Sequence, residues 1–130
     1  MIYLDSSALV KLALAEAESA SLARWLAENA DQSMVSSALH RVEVARTIWR
    51  AEPAALPRCY MVLRRIQRVA VTQDLLDTAS TLPPQVLRSS DAIHLASALA
   101  IKEALIAFVA YDKRLLAAAR EAGLRTASPA

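Results

Sequence analysis

Short apolar runs that stop at a polar residue, each followed by a segment with helical spacing, recur along this chain, and that alternation restricts its fold more than any other feature. "MIYLD" is the first such run, and "SSALVKLALAE" behind it sets Leu9, Leu12 and Ala13 at helical intervals. "SASLARWLAEN" predicts a second helix with Leu22, Trp25 and Leu26 on one face. "QSMVSS" reads as a brief strand leading into the helix "ALHRVEVARTIWRAE", which Pro53 stops. A further helix is expected from about Pro57 to Arg68, then the short strand "RVAVT", then a helix from about Gln73 to the Pro83-Pro84 pair. The loop "PPQVLRSS" delivers a helix that is uncharged from Ala92 to Ile101 apart from His94. "LIAFVAYD", apolar until Asp112, has the character of a parallel strand covered on both faces. "KRLLAAAREAG" is a helix closed by Gly123, and "LRTAS" a last short strand.

Strands alternating with helices imply a parallel sheet with helices on both sides, so the expected fold is a three-layer α/β/α sandwich with a short central sheet. No linker, repeat or low-complexity segment divides the chain, and residues 1–130 read as one domain. Hydrophobic residues make up 55%, enough for a core that needs no disulfide or structural metal. Cys59 is the only cysteine, which together with the absence of metal-ligand spacing around it suits a reduced, cytoplasmic protein. "MIYLDSSALV" lacks the basic start of a secretory signal, and Lys102 and Glu103 interrupt the most apolar stretch, so no membrane association is expected.

With Gly123 as its single glycine, the chain holds no glycine-rich phosphate loop or dinucleotide fingerprint. Any phosphate chemistry must be carried by side chains and ions. Net charge is only +2, yet Arg41, Arg46, Arg50, Arg58, Arg64, Arg65 and Arg68 face just Glu43 and Glu52 in the segment from His40 to Arg68. That excess suits an anionic partner such as nucleic acid, and a solvated helix face accounts for it equally well.

Four acids stand at comparable places. Asp5 ends the first strand and Asp112 the long apolar one, so both fall at the carboxyl edge of a parallel sheet, where ligands bind. Asp91 opens the uncharged helix within reach of that edge. Each has an ordinary reading as a helix N-terminal residue, with Ser89 or Ser90 capping the helix of Asp91. Glu43 lies inside its helix beside the apolar positions Ala38, Val42, Ala45 and Trp49, where no cap is needed; a surface pair with Arg46 or Arg50 would explain it. Taken together, the acids would repel one another unless a cation sat among them. Oxygen donors without thiolates or paired histidines select a hard ion such as magnesium or manganese, the arrangement that hydrolyses phosphodiesters. On that reading Asp5, Glu43 and Asp91 share one cleft.

In these residues the chain resembles PIN domains, and among them the VapC-type toxins of prokaryotic toxin-antitoxin pairs. The resemblance runs in order through "IYLDSSALVKL", "VSSALHRVEVAR", "LRSSDAIHLASAL" and "FVAYDKRLLAAAREAGL". It implies a magnesium- or manganese-dependent endoribonuclease with Asp5, Glu43, Asp91 and Asp112 as its acidic site. Asp5 and Asp91 would be the main metal ligands, and Ser7 would support a carboxylate from behind. It also implies an RNA substrate, inhibition by a cognate antitoxin, and a homodimer or toxin-antitoxin hetero-oligomer. Many members carry Ser or Thr two residues before the last acid; here that position is Ala110, so no hydroxyl stands there beside Asp112.

A non-catalytic PIN-like module that binds RNA or protein while its acids merely cap helices is the rival reading. A phosphoacceptor receiver domain would also gather acids at strand ends, but its late lysine beyond a Ser or Thr has no counterpart. His94 reads as a packing histidine outside the site, Ser36 and Ser37 as caps, and Trp25 and Trp49 as core residues.

Overall fold

The computed structural model describes all 130 residues, Met1–Ala130. The first apolar run forms β1 (Ile2–Leu4), wholly buried at the centre of a five-stranded sheet. β2 (Met34–Ser37) and β4 (Ala107–Val109) flank it, with β3 (Gln67–Val69) beyond β2 and β5 (Thr126–Ala127) beyond β4. Every neighbouring pair is parallel; Ile2 lies opposite both Met34 and Ala107, and Leu4 opposite Val109. Parallel strands need crossovers, which the seven helices supply. These are α1 (Ser6–Ala13), α2 (Ser19–Glu28), α3 (His40–Ala51), α4 (Leu56–Arg64), α5 (Gln73–Ser80), α6 (Ser89–Ala100) and α7 (Lys113–Glu121).

The two-residue period of a strand divides the core. Ile2 and Leu4 point into one layer with Ala8, Leu9, Leu22, Val44, Ile48 and Leu63, from α1 to α4. Tyr3 points the other way, joining Val35 and Phe108 against Leu95 and Ala98 of α6 and Leu115 and Ala119 of α7. Helix α5 adds Leu75 and Ala79, which pack on Ala92 and Ala96. The chain is thus an α/β/α sandwich, and because all strands run one way, Asp5 and Asp112 emerge at the same edge.

Three details depart from the sequence reading. Helix α4 ends at Arg64 rather than Arg68, because Ile66 is drawn into the core and Gln67–Val69 is needed as a strand against β2. On α3 the buried row is His40, Val44 and Ile48, while Val42 and Trp49 face outward. Both rows are apolar enough to serve as the core face, and packing by α1 and α4 decides between them. Helix α6 takes Arg88 as its N-cap without a side-chain cap bond; Ser89 and Ser90 are its first helical residues.

Candidate active site

Asp5 leaves β1 and becomes the N-cap of α1, its Oδ1 accepting from the Ala8 amide at 3.0 Å and the Ser7 hydroxyl at 2.6 Å. It is only 4% exposed. Burial raises its affinity for a proton, only partly offset by those two donors and by His94, and the Asp91 charge adds a smaller push upward. The capping role is therefore real, and it holds one carboxylate oxygen while leaving Oδ2 without a partner. Ser7 Oγ also accepts from the Tyr111 amide at 3.2 Å, tying the ends of β1 and β4 together. Ala110, fully buried beneath this junction, adds no hydroxyl, so Ser7 is the hydroxyl beside Asp5.

Asp91 sits in the first turn of α6, three residues past the N-cap, and caps nothing. Its Oδ2 accepts from Arg88 Nε at 3.2 Å. The same guanidinium stands 3.9 Å from Asp112 Oδ2 and is 74% exposed. Asp112 meanwhile caps α7 through its Oδ1, which accepts from the Leu115 amide at 2.9 Å. Asp91, Asp112, Arg88 and Lys113 line a cleft of about 300 Å³ that opens at the carboxyl edge of the sheet.

Glu43 has neither of the surface arginine pairs considered for it. Its Oε1 accepts from Ser6 Oγ at 2.7 Å and from His94 Nε2 at 2.7 Å. Tyr3 donates its hydroxyl proton to His94 Nδ1 at 2.8 Å, while the Ser37 amide donates to the Tyr3 oxygen at 2.9 Å. This chain of bonds places the His94 ring proton on Nε2, facing Glu43. Burial pushes the Glu43 carboxyl up, but His94 and Ser6 outweigh it and hold it below the ordinary glutamate value, ionised near neutral pH. His94 is thus a member of the site's hydrogen-bond network, not a bystander. Its spacing from Asp91 within "DAIH" was the available signal, but Glu43 and Tyr3, its partners, are remote in sequence. Arg88 was missed too, although a cation three residues before Asp91 marks a helix-start pair. Ser37 accepts from the Leu39 amide, as a cap-like residue does, whereas Ser36 Oγ is buried without a partner.

Of the three acids expected to share one cleft, Asp91 lines it together with Asp112, whereas Asp5 and Glu43 do not, and the four acids do not close into a ready chelate. No three Asp, Glu, His or Cys side chains come together closely enough to hold a metal ion. Asp5 feels the charge of Asp91, whereas Glu43 is engaged by His94 and Ser6. The cation between Asp91 and Asp112 is Arg88. A donor set of carboxylate oxygens, with one Asp5 oxygen free and an exposed, displaceable arginine as present counter-charge, fits a hard divalent ion in chemistry.

Residues 2–121 match the PIN domain family. The ribonuclease VapC47 of Mycobacterium tuberculosis (strain CDC 1551 / Oshkosh) is 43% identical over 99% of this chain and 97% of its own. VapC46 of the H37Rv strain is 40% identical over 98% and 97%. Among solved structures, that of M. tuberculosis VapC20, described as a sarcin-ricin loop cleaving toxin, superposes with a TM-score of 0.76 at 19% identity, covering 99% of this chain and 100% of the other. The VapBC2 structure from Rickettsia felis, bound to a fragment of promoter DNA, gives the same TM-score at 14% identity and full coverage of both chains.

Proposed function

The chain belongs to the PIN-domain family, with VapC ribonucleases as full-length relatives, and on that footing we propose that it is a toxin endoribonuclease that hydrolyses RNA phosphodiesters. The observation that carries the chemistry is the buried Asp5 carboxylate, fixed through one oxygen at the carboxyl end of the central strand with its second oxygen free. Asp5 and Asp91 would hold a magnesium or manganese ion, which supplies Lewis-acid polarisation of the scissile phosphate and a more acidic attacking water.

The remaining groups are the chain's own contribution. Glu43, kept ionised by the His94 and Ser6 donors, presents a carboxylate able to orient water or take its proton. Ser7 keeps the Asp5 carboxylate from rotating. Arg88 exchanges its contacts with Asp91 and Asp112 for a non-bridging phosphate oxygen, so that RNA entry and release of the two carboxylates are one event. Asp112 completes the acidic rim. In-line attack by water displaces the 3′ oxygen and leaves a 5′ phosphate and a 3′ hydroxyl.

A cognate antitoxin is the proposed inhibitor. A groove of about 370 Å³ between α2 and α4 is lined by Leu12, Leu26, Met34 and Val62, with Arg58 and Arg65 at its margin. That pattern suits an amphipathic segment bearing acids. We place the protein in the cytoplasm as a homodimer or toxin-antitoxin hetero-oligomer; no helix is long and apolar enough to cross a membrane.

RNA cleavage measured with magnesium, with manganese and with chelator tests the reading. Activity should vanish on chelation and return with either ion. Asp91→Asn and Asp5→Asn should each lose 100-fold or more, roughly what removal of a key electrostatic group costs. Undiminished cleavage by Asp91→Asn would overturn the assignment.

A further inference from the structure

Helix α3 turns its second apolar row toward water, with Val42 57% and Trp49 54% exposed. Cations accompany the aromatic rings on this face. The Arg46 guanidinium is 5.8 Å from the centre of the Trp49 ring, and that of Arg41 is 4.8 Å from the centre of the Tyr60 ring in α4. Between them lies a shallow depression of about 280 Å³ lined by Ala45, Arg46, Trp49, Leu56 and Tyr60, with no carboxylate.

Flat π faces beside guanidinium forks are the chemistry that receives an unpaired base and its phosphate together. A second copy presenting this same face would bring more arginine and no carboxylate from the depression, so it offers no counter-charge to Arg46. The face is also continuous with the acidic site. Glu43, Arg46 and Arg50 follow one row of α3, and one turn, a rise of about 5 Å, separates Glu43 from Arg46.

We propose that the α3–α4 face of Arg41, Arg46, Trp49 and Tyr60 is a stacking platform for unpaired bases of the RNA flanking the scissile bond. The inference rests on the ribonuclease reading above and adds to it a place on the chain that receives the flanks of the substrate.

The test is binding of a short fluorescein-labelled single-stranded RNA of mixed sequence to the Asp91→Asn chain in chelator, followed by anisotropy. Trp49→Ala and Tyr60→Ala, at positions outside the core, should each weaken binding about tenfold, and Trp49→Phe should restore most of it. Arg46→Gln should reduce the slope of log affinity against log salt by about 0.7. Tryptophan emission should be quenched on binding, and much less so in Trp49→Phe. Affinity unchanged in Trp49→Ala, with the parent chain binding RNA, overturns this proposal alone. No RNA binding by the parent chain in chelator overturns the platform, which needs no metal, and leaves the ribonuclease reading to the cleavage assay. A dimer in sedimentation that Trp49→Ala dissociates makes the face a self-interface and overturns it as well.

Discussion

His94 illustrates how a single residue acquires its role from partners far away in the chain. In sequence it is one polar residue in an apolar helix. In the structure its two ring nitrogens join Tyr3, from the central strand, to Glu43, from α3, and the direction of each bond fixes the next. A positioning role for His94 follows. His94→Leu should reduce cleavage by about 10–100-fold, the usual cost of losing a group that orients an active-site residue. It should also destabilise the fold by about 1–3 kcal/mol, because the buried Tyr3 hydroxyl loses its acceptor. His94→Gln, which can still donate an N–H toward Glu43, should recover part of the activity. Cleavage assays alongside urea unfolding would separate the two effects; equal loss of activity in both variants would mean that His94 does not act through Glu43.

At the scale of elements, the acids do double duty as helix starts. Asp5 opens α1 and Asp112 opens α7, each accepting from the amide three residues on. The loops after β1 and β4 therefore need no glycine: a carboxylate at the strand end both terminates the strand and satisfies the next helix. Asp91 differs, since α6 begins with Arg88 and the Asp91 carboxylate is left to pair with it. Asp112→Ala should cost about 1 kcal/mol through the lost cap, whereas Asp112→Asn should retain nearly all of it. Thermal unfolding of the two variants checks this. Activity is the separate readout: if Asp112 serves the acidic rim as well as the cap, Asp112→Asn should cleave RNA more slowly while melting like the parent.

For the whole molecule, the most consequential buried group outside the site is His40. It is wholly enclosed on the inner row of α3, with neither ring nitrogen hydrogen-bonded. Burial first, then the charge of Arg68, lowers its pKa from 6.5 to about 4. The folded protein thus binds this proton more weakly than the unfolded chain. Its neutral state supports the fold fully above pH 6.5, and stability drains away as the pH falls from there through about 4, by roughly 3 kcal/mol in total. Urea unfolding across that range should show the decline, and His40→Leu should flatten it. An unchanged pH dependence in His40→Leu would show that other groups govern acid unfolding.

How much of this was legible beforehand divides along a physical line. The alternation of apolar runs and helical segments carried the α/β/α architecture, because strand and helix periods are local properties and a strand buried on both faces must be apolar throughout. The acids at strand ends were legible for the same reason: Asp5 and Asp112 follow their strands directly, and a parallel sheet sends both to one edge. Glu43 and Asp91 joined them on charge, since acids gathered at one edge need a cation among them, and the resemblance of the ordered motifs then gave the set its function. What the sequence could not decide was any choice between locally equivalent alternatives. Both rows of α3 are apolar, and only the packing of α1 and α4 makes Val44 and Ile48 core and leaves Trp49 in water. Helix α4 could have continued to Arg68, but the pairing of Gln67–Val69 with β2 claims that backbone. The partners of Glu43 and the placement of Arg88 between two carboxylates are likewise tertiary facts, since hydrogen bonds and ion pairs depend on distances that only the folded chain sets.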